Sequence, residues 1–222
     1  MFTGIVQSQA EVISITTENQ LSRLVISVSP LLVLKLDIGA SIAINGVCLT
    51  VVDYFEYNKN EHDKSENNVN TYAIAFDVID ETLRVTTLGN LSVHDWVNVE
   101  RSLKVGDEIG GHNVSGHVQY KSVVVRKDKT PTNTALYFTC ELPWLRYVFE
   151  KGFITVNGTS LTVGKIKDNT FSVHLIPETL ASTNLGKLQV NDEVNLEFDQ
   201  QTIVIVNTIE RLRLSELTVK SL

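Results

Sequence analysis

Short apolar runs rich in Val, Ile and Thr recur along the chain, bounded by Gly, Asn, Asp and other polar residues. In the first half they lie at 11–15, 24–28, 41–44, 49–52, 72–76 and 96–99, with turn signals such as Ile44-Asn45-Gly46 and Lys104-Val105-Gly106-Asp107. Runs of this length at this spacing predict the strands of a small antiparallel barrel or sandwich. Six more follow at 122–125, 136–141, 153–156, 161–163, 171–175 and 193–197. Regions 32–35 and 144–150 suit short helices at equivalent places in the two sets. The chain therefore reads as all-β, with two six-stranded units in tandem.

The second set is a copy of the first. Gly4-Ile5-Val6 returns as Gly116-His117-Val118, and Asn45-Gly46-Val47-Cys48-Leu49-Thr50-Val51 returns as Asn157-Gly158-Thr159-Ser160-Leu161-Thr162-Val163, both 112 residues on (116 − 4 and 157 − 45). Glu81-Thr82-Leu83 then matches Glu178-Thr179-Leu180, and Leu88-Gly89 matches Leu185-Gly186. Val97-Asn98-Val99-Glu100 matches Val194-Asn195-Leu196-Glu197, and these later pairs are 97 residues apart (178 − 81). The order is kept while the offset drops by 15 (112 − 97), so the first copy carries one insertion between Val51 and Glu81. A period this long, met twice, is a duplicated domain and not a solenoid of short repeats. The expected boundaries are 1–101 for the first domain, 102–199 for the second and 200–222 for a tail outside the repeat.

The insertion at 58–70 is polar, charged and nearly free of apolar residues. It cannot contribute to a core and is expected to be a solvated hairpin tip. In the tail, Ile205, Ile209 and Leu212 fall at helical spacing, with Glu210, Arg211 and Arg213 on other faces. The β-branched run Ile203-Val204-Ile205-Val206 weakens this reading, because it could also form a strand, but the helix is favoured. Read as a helix, the tail carries an apolar stripe with no place in either barrel, which predicts an oligomerisation helix.

Composition narrows the function. A hydrophobic share of 43% is ordinary for a globular protein, and a net charge of −7 without a basic run argues against nucleic acid and anionic membrane as partners. No window approaches the roughly 20 apolar residues of a membrane helix, and the start Met1-Phe2-Thr3-Gly4 lacks the charged and apolar regions of a signal peptide. Two cysteines, Cys48 and Cys140, are too few for a disulfide framework. A soluble, cytoplasmic protein is expected.

Positions where the copies differ carry the candidate chemistry. Cys48 corresponds to Ser160, Ile5 to His117, Ser41 to Phe153 and Asp77 to His174. Two sites that began alike and diverged at polar positions can hold two identical ligands in unlike roles. Cys48, among apolar neighbours, reads either as a reactive thiol or as a small core residue. His117 in Ser115-Gly116-His117 is flanked by small residues that let a ligand approach the backbone, and it suits an internal hydrogen bond equally. His112 lies nearby, but no Cys or carboxylate cluster completes a zinc set, so no metal is expected. Gly110-Gly111 lacks the Lys-Ser/Thr of a phosphate loop. Thr50 and Thr162 each follow the Cys or Ser by two, which in a strand puts both side chains on one face. Asp199 reads equally as a helix N-cap and as a functional carboxylate.

Together these blocks resemble riboflavin synthase of the trimeric, alpha-subunit type, a lumazine-binding family of duplicated barrels. The resemblance runs from Met1 to about Leu212 through Met1-Phe2-Thr3-Gly4-Ile5-Val6, the Asn45 to Val51 block, Glu81-Thr82-Leu83-Arg84 and Asp107-Glu108-Ile109-Gly110-Gly111-His112-x-x-Ser115-Gly116-His117. It continues through Gly158-x-Ser160-Leu161-Thr162-Val163-Gly164 and Val173-His174-Leu175-Ile176-Pro177-Glu178-Thr179-Leu180. It implies two six-stranded antiparallel Greek-key barrels and a C-terminal helix that joins three chains. It also implies active sites between the N-barrel of one subunit and the C-barrel of its neighbour. The implied reaction needs neither cofactor nor metal. Two molecules of 6,7-dimethyl-8-ribityllumazine dismutate by four-carbon transfer, giving riboflavin and 5-amino-6-ribitylamino-2,4-pyrimidinedione. By resemblance, Cys48, His117, Ser160, Thr162 and Asp199 match catalytic positions. Gly4, Val6, Ser41, Thr50, Asp77, Ile79, Thr82 and Gly116 match substrate contacts, as do Lys151, Ile176 and Thr179 in the C-barrel. Lumazine synthase is a candidate partner.

The chain departs from the family pattern in its long insertion, in Val47 where a second cysteine is frequent, and in Asn157 where the C-barrel can carry Asp. A rival reading within the family is a non-catalytic antenna protein that binds lumazine or flavin and fluoresces. Such relatives have lost polar residues from the catalytic half, whereas Ser115-Gly116-His117 and Ser160-Leu161-Thr162 are intact here. A flavin-binding barrel of an oxidoreductase would require a nicotinamide-binding α/β domain, and no such pattern is present.

Overall fold

The computed structural model describes residues 1–57 and 71–219, and side chains as far as Leu212. The expected hairpin tip at 58–70 lies outside the described residues. In the first half, β1 (Ser8–Glu18), β2 (Leu21–Val28), β3 (Ser41–Ile44), β4 (Val47–Tyr57), β5 (Thr71–Ile79) and β6 (Trp96–Arg101) close a barrel in the order β1-β2-β5-β4-β3-β6. The second half repeats it with β7 (Tyr120–Lys129), β8 (Thr134–Thr139), β9 (Phe153–Val156), β10 (Thr159–Lys167), β11 (Thr170–Leu175) and β12 (Glu193–Phe198). Read from β7, the second barrel runs β7-β8-β11-β10-β9-β12, the same Greek-key order. The predicted all-β duplicated fold is what the chain adopts.

Strand alternation decides which residues face the core. Along β4, Val47, Leu49 and Val51 are buried while Cys48 and Thr50 face out. Along β10, Thr159, Leu161 and Val163 are buried while Ser160 and Thr162 face out. Val47, one of the departures from the family pattern, belongs to the N-barrel core. Each such buried aliphatic side chain contributes about 1.5–3 kcal/mol. The second cysteine, Cys140, is buried in the C-barrel core, where desolvation pushes its thiol up to about 12. It is inert packing.

The two short helices lie near the expected places but begin earlier, as α1 (Pro30–Val33) and α3 (Leu142–Leu145). The reason is proline: Pro30 and Pro143 sit in the first turn, where a missing N–H costs nothing. For the same reason β8 stops at Thr139, short of the predicted 141. Two further helices, α2 (Asp80–Val85) and α4 (Pro177–Ser182), follow β5 and β11. The apolar pattern did not signal them.

The barrels meet across a pseudo-twofold axis. The β3–β4 turn at Asn45-Gly46 and the β9–β10 turn at Asn157-Gly158 have both central residues at positive φ, as a two-residue hairpin requires. They pack back to back so closely that a Cβ on Gly46 would lie 2.7 Å from the Gly158 nitrogen. Asn98 Nδ2 donates to the Asn157 carbonyl and Asn195 Nδ2 to the Asn45 carbonyl, each at 2.9 Å. Asn157 Oδ1 accepts from the Asn195 N–H, as Asn45 Oδ1 accepts from that of Asn98. The Asn157 side chain is thus tied into the seam between barrels.

The tail is helical: α5 (Gln200–Val219). Asp199 caps it, accepting from the Thr202 N–H at 3.0 Å. Ile203 and Val206 pack against the C-barrel core, which with the cap outweighs the strand preference of the β-branched run. The Tyr147 hydroxyl donates to Asn207 and Arg146 pairs with Glu210, fixing the same face onto α3 and the segment after it. Val204, Ile205, Ile209 and Leu212 are exposed. Among the described residues no helix is long and apolar enough to cross a membrane.

Candidate active site

Each barrel carries an outward shelf formed by its third and fourth strands, and the leading segment of the other barrel borders it. In the N-terminal half, Ser41 and Thr50 are cross-strand partners on the outer face of β3 and β4, with half-buried Cys48 two residues along. The Cys48 N–H donates to the Gly116 carbonyl at 2.9 Å, which brings Ser115-Gly116-His117 against this shelf. Gly116 has φ +81° and no room for a side chain, since a Cβ would lie 2.6 Å from the Cys48 Cβ. In the C-terminal half, Phe153 and Thr162 are the cross-strand partners and Ser160 takes the place of Cys48. The Ser160 N–H donates to the Gly4 carbonyl at 2.7 Å, and a Cβ on Gly4 would lie 2.6 Å from that of Ser160.

Two buried carboxylates hold these bordering segments. Glu100 accepts from the Thr3 N–H, the Thr3 hydroxyl and the Gly4 N–H. Glu197 accepts from the Ser115 N–H, the Ser115 hydroxyl and the Gly116 N–H. Carboxylates are acceptors only, so each matches a cluster that supplies only donors. Burial raises the Glu100 carboxyl above the usual glutamate range, and the bonds from Thr3 and Gly4 oppose that shift.

The far rims differ. Asp77, on β5, accepts a bidentate pair from Arg23 at 2.8 and 3.0 Å, and that hydrogen-bonded guanidinium holds the Asp77 carboxyl below the usual aspartate range. Ile79 follows, exposed at the end of β5, and Thr82 stands on α2. In the C-terminal half the corresponding residues are His174, Ile176 and Thr179, the last on α4, with His174 Nδ1 3.0 Å from Asn133 Nδ2. Lys151 sits in the turn before β9 at φ +69°, its N–H donating to the Val163 carbonyl. Val6 lies between Gly4 and β1, half-buried.

One residue in the C-terminal half has no counterpart. His112, in the connector between the barrels, is buried with Nδ1 2.7 Å from Ser160 Oγ and Nε2 3.3 Å from Thr155 Oγ1. Its ring stacks on Phe153 at 5.0 Å and 11°. Burial pushes the imidazole below the usual histidine range, with the Asp199 charge pulling the other way. Asp199 therefore caps α5 and lies within electrostatic reach of this cluster. Sequence reasoning weighed His112 only as a metal ligand and missed its bond to Ser160. Its place in the block that ends at Ser115-Gly116-His117 was the one available signal.

Within one chain, then, Cys48 is brought to the Gly116-His117 segment, and Ser160 to Gly4 and His112. A cleft of about 550 Å³ lies at the barrel seam, lined by Asn45, Thr87, Trp96, Asn157, Asn184 and Lys187 among others. None of the predicted site residues lines it.

The lumazine binding domain family matches the chain twice, over residues 3–102 and 115–199. The riboflavin synthase of Escherichia coli (strain K12) is 42% identical over 213 residues, covering 96% of this chain and 93% of that protein. The riboflavin synthase of Chlamydia pneumoniae is 40% identical over 214 residues, covering 96% of both. The chain belongs to the riboflavin synthase family. The solved structure of LumP complexed with 6,7-dimethyl-8-(1'-D-ribityl) lumazine shares its fold, with a TM-score of 0.74 at 22% identity, covering 90% of this chain and 100% of that one. Riboflavin synthase relatives thus match this chain at nearly twice the identity of LumP.

Proposed function

We infer that this chain catalyses the riboflavin synthase reaction. Two molecules of 6,7-dimethyl-8-ribityllumazine dismutate, one donating a four-carbon unit to the other, to give riboflavin and 5-amino-6-ribitylamino-2,4-pyrimidinedione. Atoms and electrons balance within the two substrates. The observation that carries the reading is similarity to riboflavin synthases over 96% of the chain.

The lumazine ring delocalises the carbanion formed at its 7-methyl group, so the protein's main task is to hold two rings face to face. Such orientation supplies roughly 7–11 kcal/mol, and proton transfer by positioned side chains typically adds about 10²–10⁴-fold. One lumazine lies on the N-terminal shelf, against Ser41, Cys48, Thr50, Asp77, Ile79 and Thr82, with Gly116-His117 at its edge. The other lies on the C-terminal shelf, against Ser160, Thr162, Ile176 and Thr179, with Gly4, Val6, Lys151 and Asp199 around it. Each shelf is open in one chain, which supports a site closed by a neighbour. The exposed apolar face of α5 supports a homotrimer in which the N-terminal shelf of one subunit meets the C-terminal shelf of the next. The same reading makes 1–101, 102–199 and 200–222 the functional units of a soluble, cytoplasmic enzyme that can associate with lumazine synthase.

The test is incubation of the protein with the lumazine, followed by riboflavin absorbance. Conversion should proceed and survive a chelator. Binding with fluorescence and no conversion would favour the antenna reading, to which the fold shared with LumP lends its only support.

A further inference from the structure

Among the described residues, His112 is the one histidine that makes two side-chain contacts inside a half-site and has no counterpart in the other half. The Gly111-His112 stretch of the connector packs on Ser160 of the C-terminal shelf, while its continuation at Ser115-Gly116-His117 borders the N-terminal shelf. The His112 N–H donates to the Thr3 carbonyl at 3.1 Å, and a Cβ on Gly111 would lie 2.7 Å from the Ser160 Cβ. Stacking on Phe153 restrains the plane of the ring.

The hydrogen-bond partners point to the nitrogen that carries the proton. The Thr155 hydroxyl is buried, and His112 Nε2 is its sole side-chain partner among the described residues. A buried hydroxyl left without an acceptor is unfavourable, so Thr155 is assigned as the donor to Nε2. The proton of the neutral ring is therefore on Nδ1, which donates to Ser160 Oγ. With one lone pair occupied by His112, the Ser160 O–H is left to point away, toward the open shelf. Cys48, the pseudo-equivalent residue, has no such partner among the described residues. Its backbone N–H is held by Gly116, and its side chain packs on Phe2, Ala43 and Val114.

We propose that His112 is a positioning residue, relayed from Thr155, that fixes Ser160 as a hydrogen-bond donor to the lumazine on the C-terminal shelf and so makes that half chemically unlike its twin. The proposal rests on the riboflavin synthase reading, in which Ser160 faces a ring. The substituent it addresses is an acceptor, a carbonyl oxygen or ring nitrogen whose negative charge grows as the carbanion forms. A fixed donor of this kind acts on kcat more than on ground-state binding.

The experiment is a double-mutant cycle on the full chain, read as kcat and KM with the lumazine and as Kd for riboflavin. His112→Phe keeps the stack on Phe153 and removes both hydrogen bonds. His112→Asn keeps a donor where Nδ1 stood, and His112→Gln keeps a group only where Nε2 stood. His112→Phe and Ser160→Ala should each lower kcat by roughly 10- to 100-fold with KM and Kd little changed. The double variant should be no worse than Ser160→Ala, and His112→Asn should recover more activity than His112→Gln. Additive losses, an equal effect of Asn and Gln, or full activity of His112→Phe would each overturn the proposal. If His112→Phe fails to fold by circular dichroism, the Asn and Gln pair still decides. A wild-type protein that forms no riboflavin would instead overturn the underlying reading.

Discussion

On the outer face of β4, Cys48 lies against Gly116 with Phe2 behind it; on the outer face of β10, Ser160 lies against Gly4 with His112 bonded to its hydroxyl. The backbone beneath is the same, down to the back-to-back Asn-Gly turns and the two glutamates that hold the bordering segments. Most interior positions kept their apolar pattern, as Leu49 and Leu161 or Val51 and Val163 show, because a barrel core tolerates change poorly. Val47, matched by buried Thr159, is an exception. Outward positions were free to specialise, and there the halves diverge in Cys48 and Ser160, Ser41 and Phe153, Asp77 and His174. A duplication has a single join, so the connector that carries His112 exists once. Its Gly111-His112 stretch lies on Ser160 and has no equivalent against Cys48, and a symmetric framework thereby acquires an asymmetric site.

The comparison breaks hardest when the halves are separated. In the full chain Gly116 receives the Cys48 N–H and Gly4 receives that of Ser160. A fragment of residues 1–101 lacks both partners, but two copies can satisfy each other, Gly4 of one on Cys48 of the next. It should sediment as a dimer, bind lumazine or riboflavin, and show almost no turnover. A monomeric fragment of undiminished ligand affinity would show that the reciprocal contact is dispensable.

Next in size is the loss of the proposed pairing between chains. Ile205→Glu with Ile209→Glu charges the exposed face of α5 and leaves Ile203 and Val206 on their own barrel. The expected product is a folded monomer with activity lowered by roughly 10³-fold or more, since the two rings are no longer held together. Sedimentation velocity beside kinetics tests this, and a fully active monomer would refute it.

Chemistry within the site comes third. His117→Ala should lower kcat by roughly 10²-fold while ligand affinity stays within about threefold, as for a group acting mainly in the transition state. Cys48→Ser should retain more activity than Cys48→Ala, by roughly tenfold, if a polar group there orients a ring or a water. Fluorescence titration and steady-state rates separate the two quantities. Proportional losses in rate and binding would make His117 a binding residue.

The smallest effect concerns the framework. Burial raises the Glu100 carboxyl, so the folded chain holds that proton more tightly than the unfolded chain. Its contribution to stability is fully present below the ordinary glutamate pKa and is lost as pH rises through the folded value. Glu100→Gln removes this dependence. The Tm difference between wild type and variant should shift toward the wild type as pH falls from neutrality to about 4, near the ordinary glutamate value. A difference that stays constant over the range would contradict the assignment.

Much of this was legible in the chain. Every predicted run of strand residues overlaps a strand, because β-branched residues between turn signals have few other ways to bury themselves. The turns at Asn45-Gly46 and Asn157-Gly158 announced themselves by residue type, and the outward placement of Cys48, Thr50, Ser160 and Thr162 followed from period two. Less was legible where apolar pattern and packing disagree. The helices α2 and α4 are amphipathic over barely more than a turn, too short for a periodic signal. The tail read as a helix with Asp199 a candidate cap, against a β-branched run that could also form a strand, and its seat on the C-barrel came into view only in the structure.

The order of blocks along the chain determined by itself that there are two copies and which positions have drifted apart. Strand period and turn chemistry added which side chains point outward, because both act over a few neighbouring residues. Only the tertiary structure decided that each barrel's leading segment lies on the other's shelf, for Gly4 and Ser160 are 156 positions apart and nothing local links them (160 − 4). It likewise turned Asn157 into part of a seam and His112 into the partner of Ser160. Contacts of that kind arise from the closure of two barrels against each other, and closure is a property of the whole chain that no window of sequence contains.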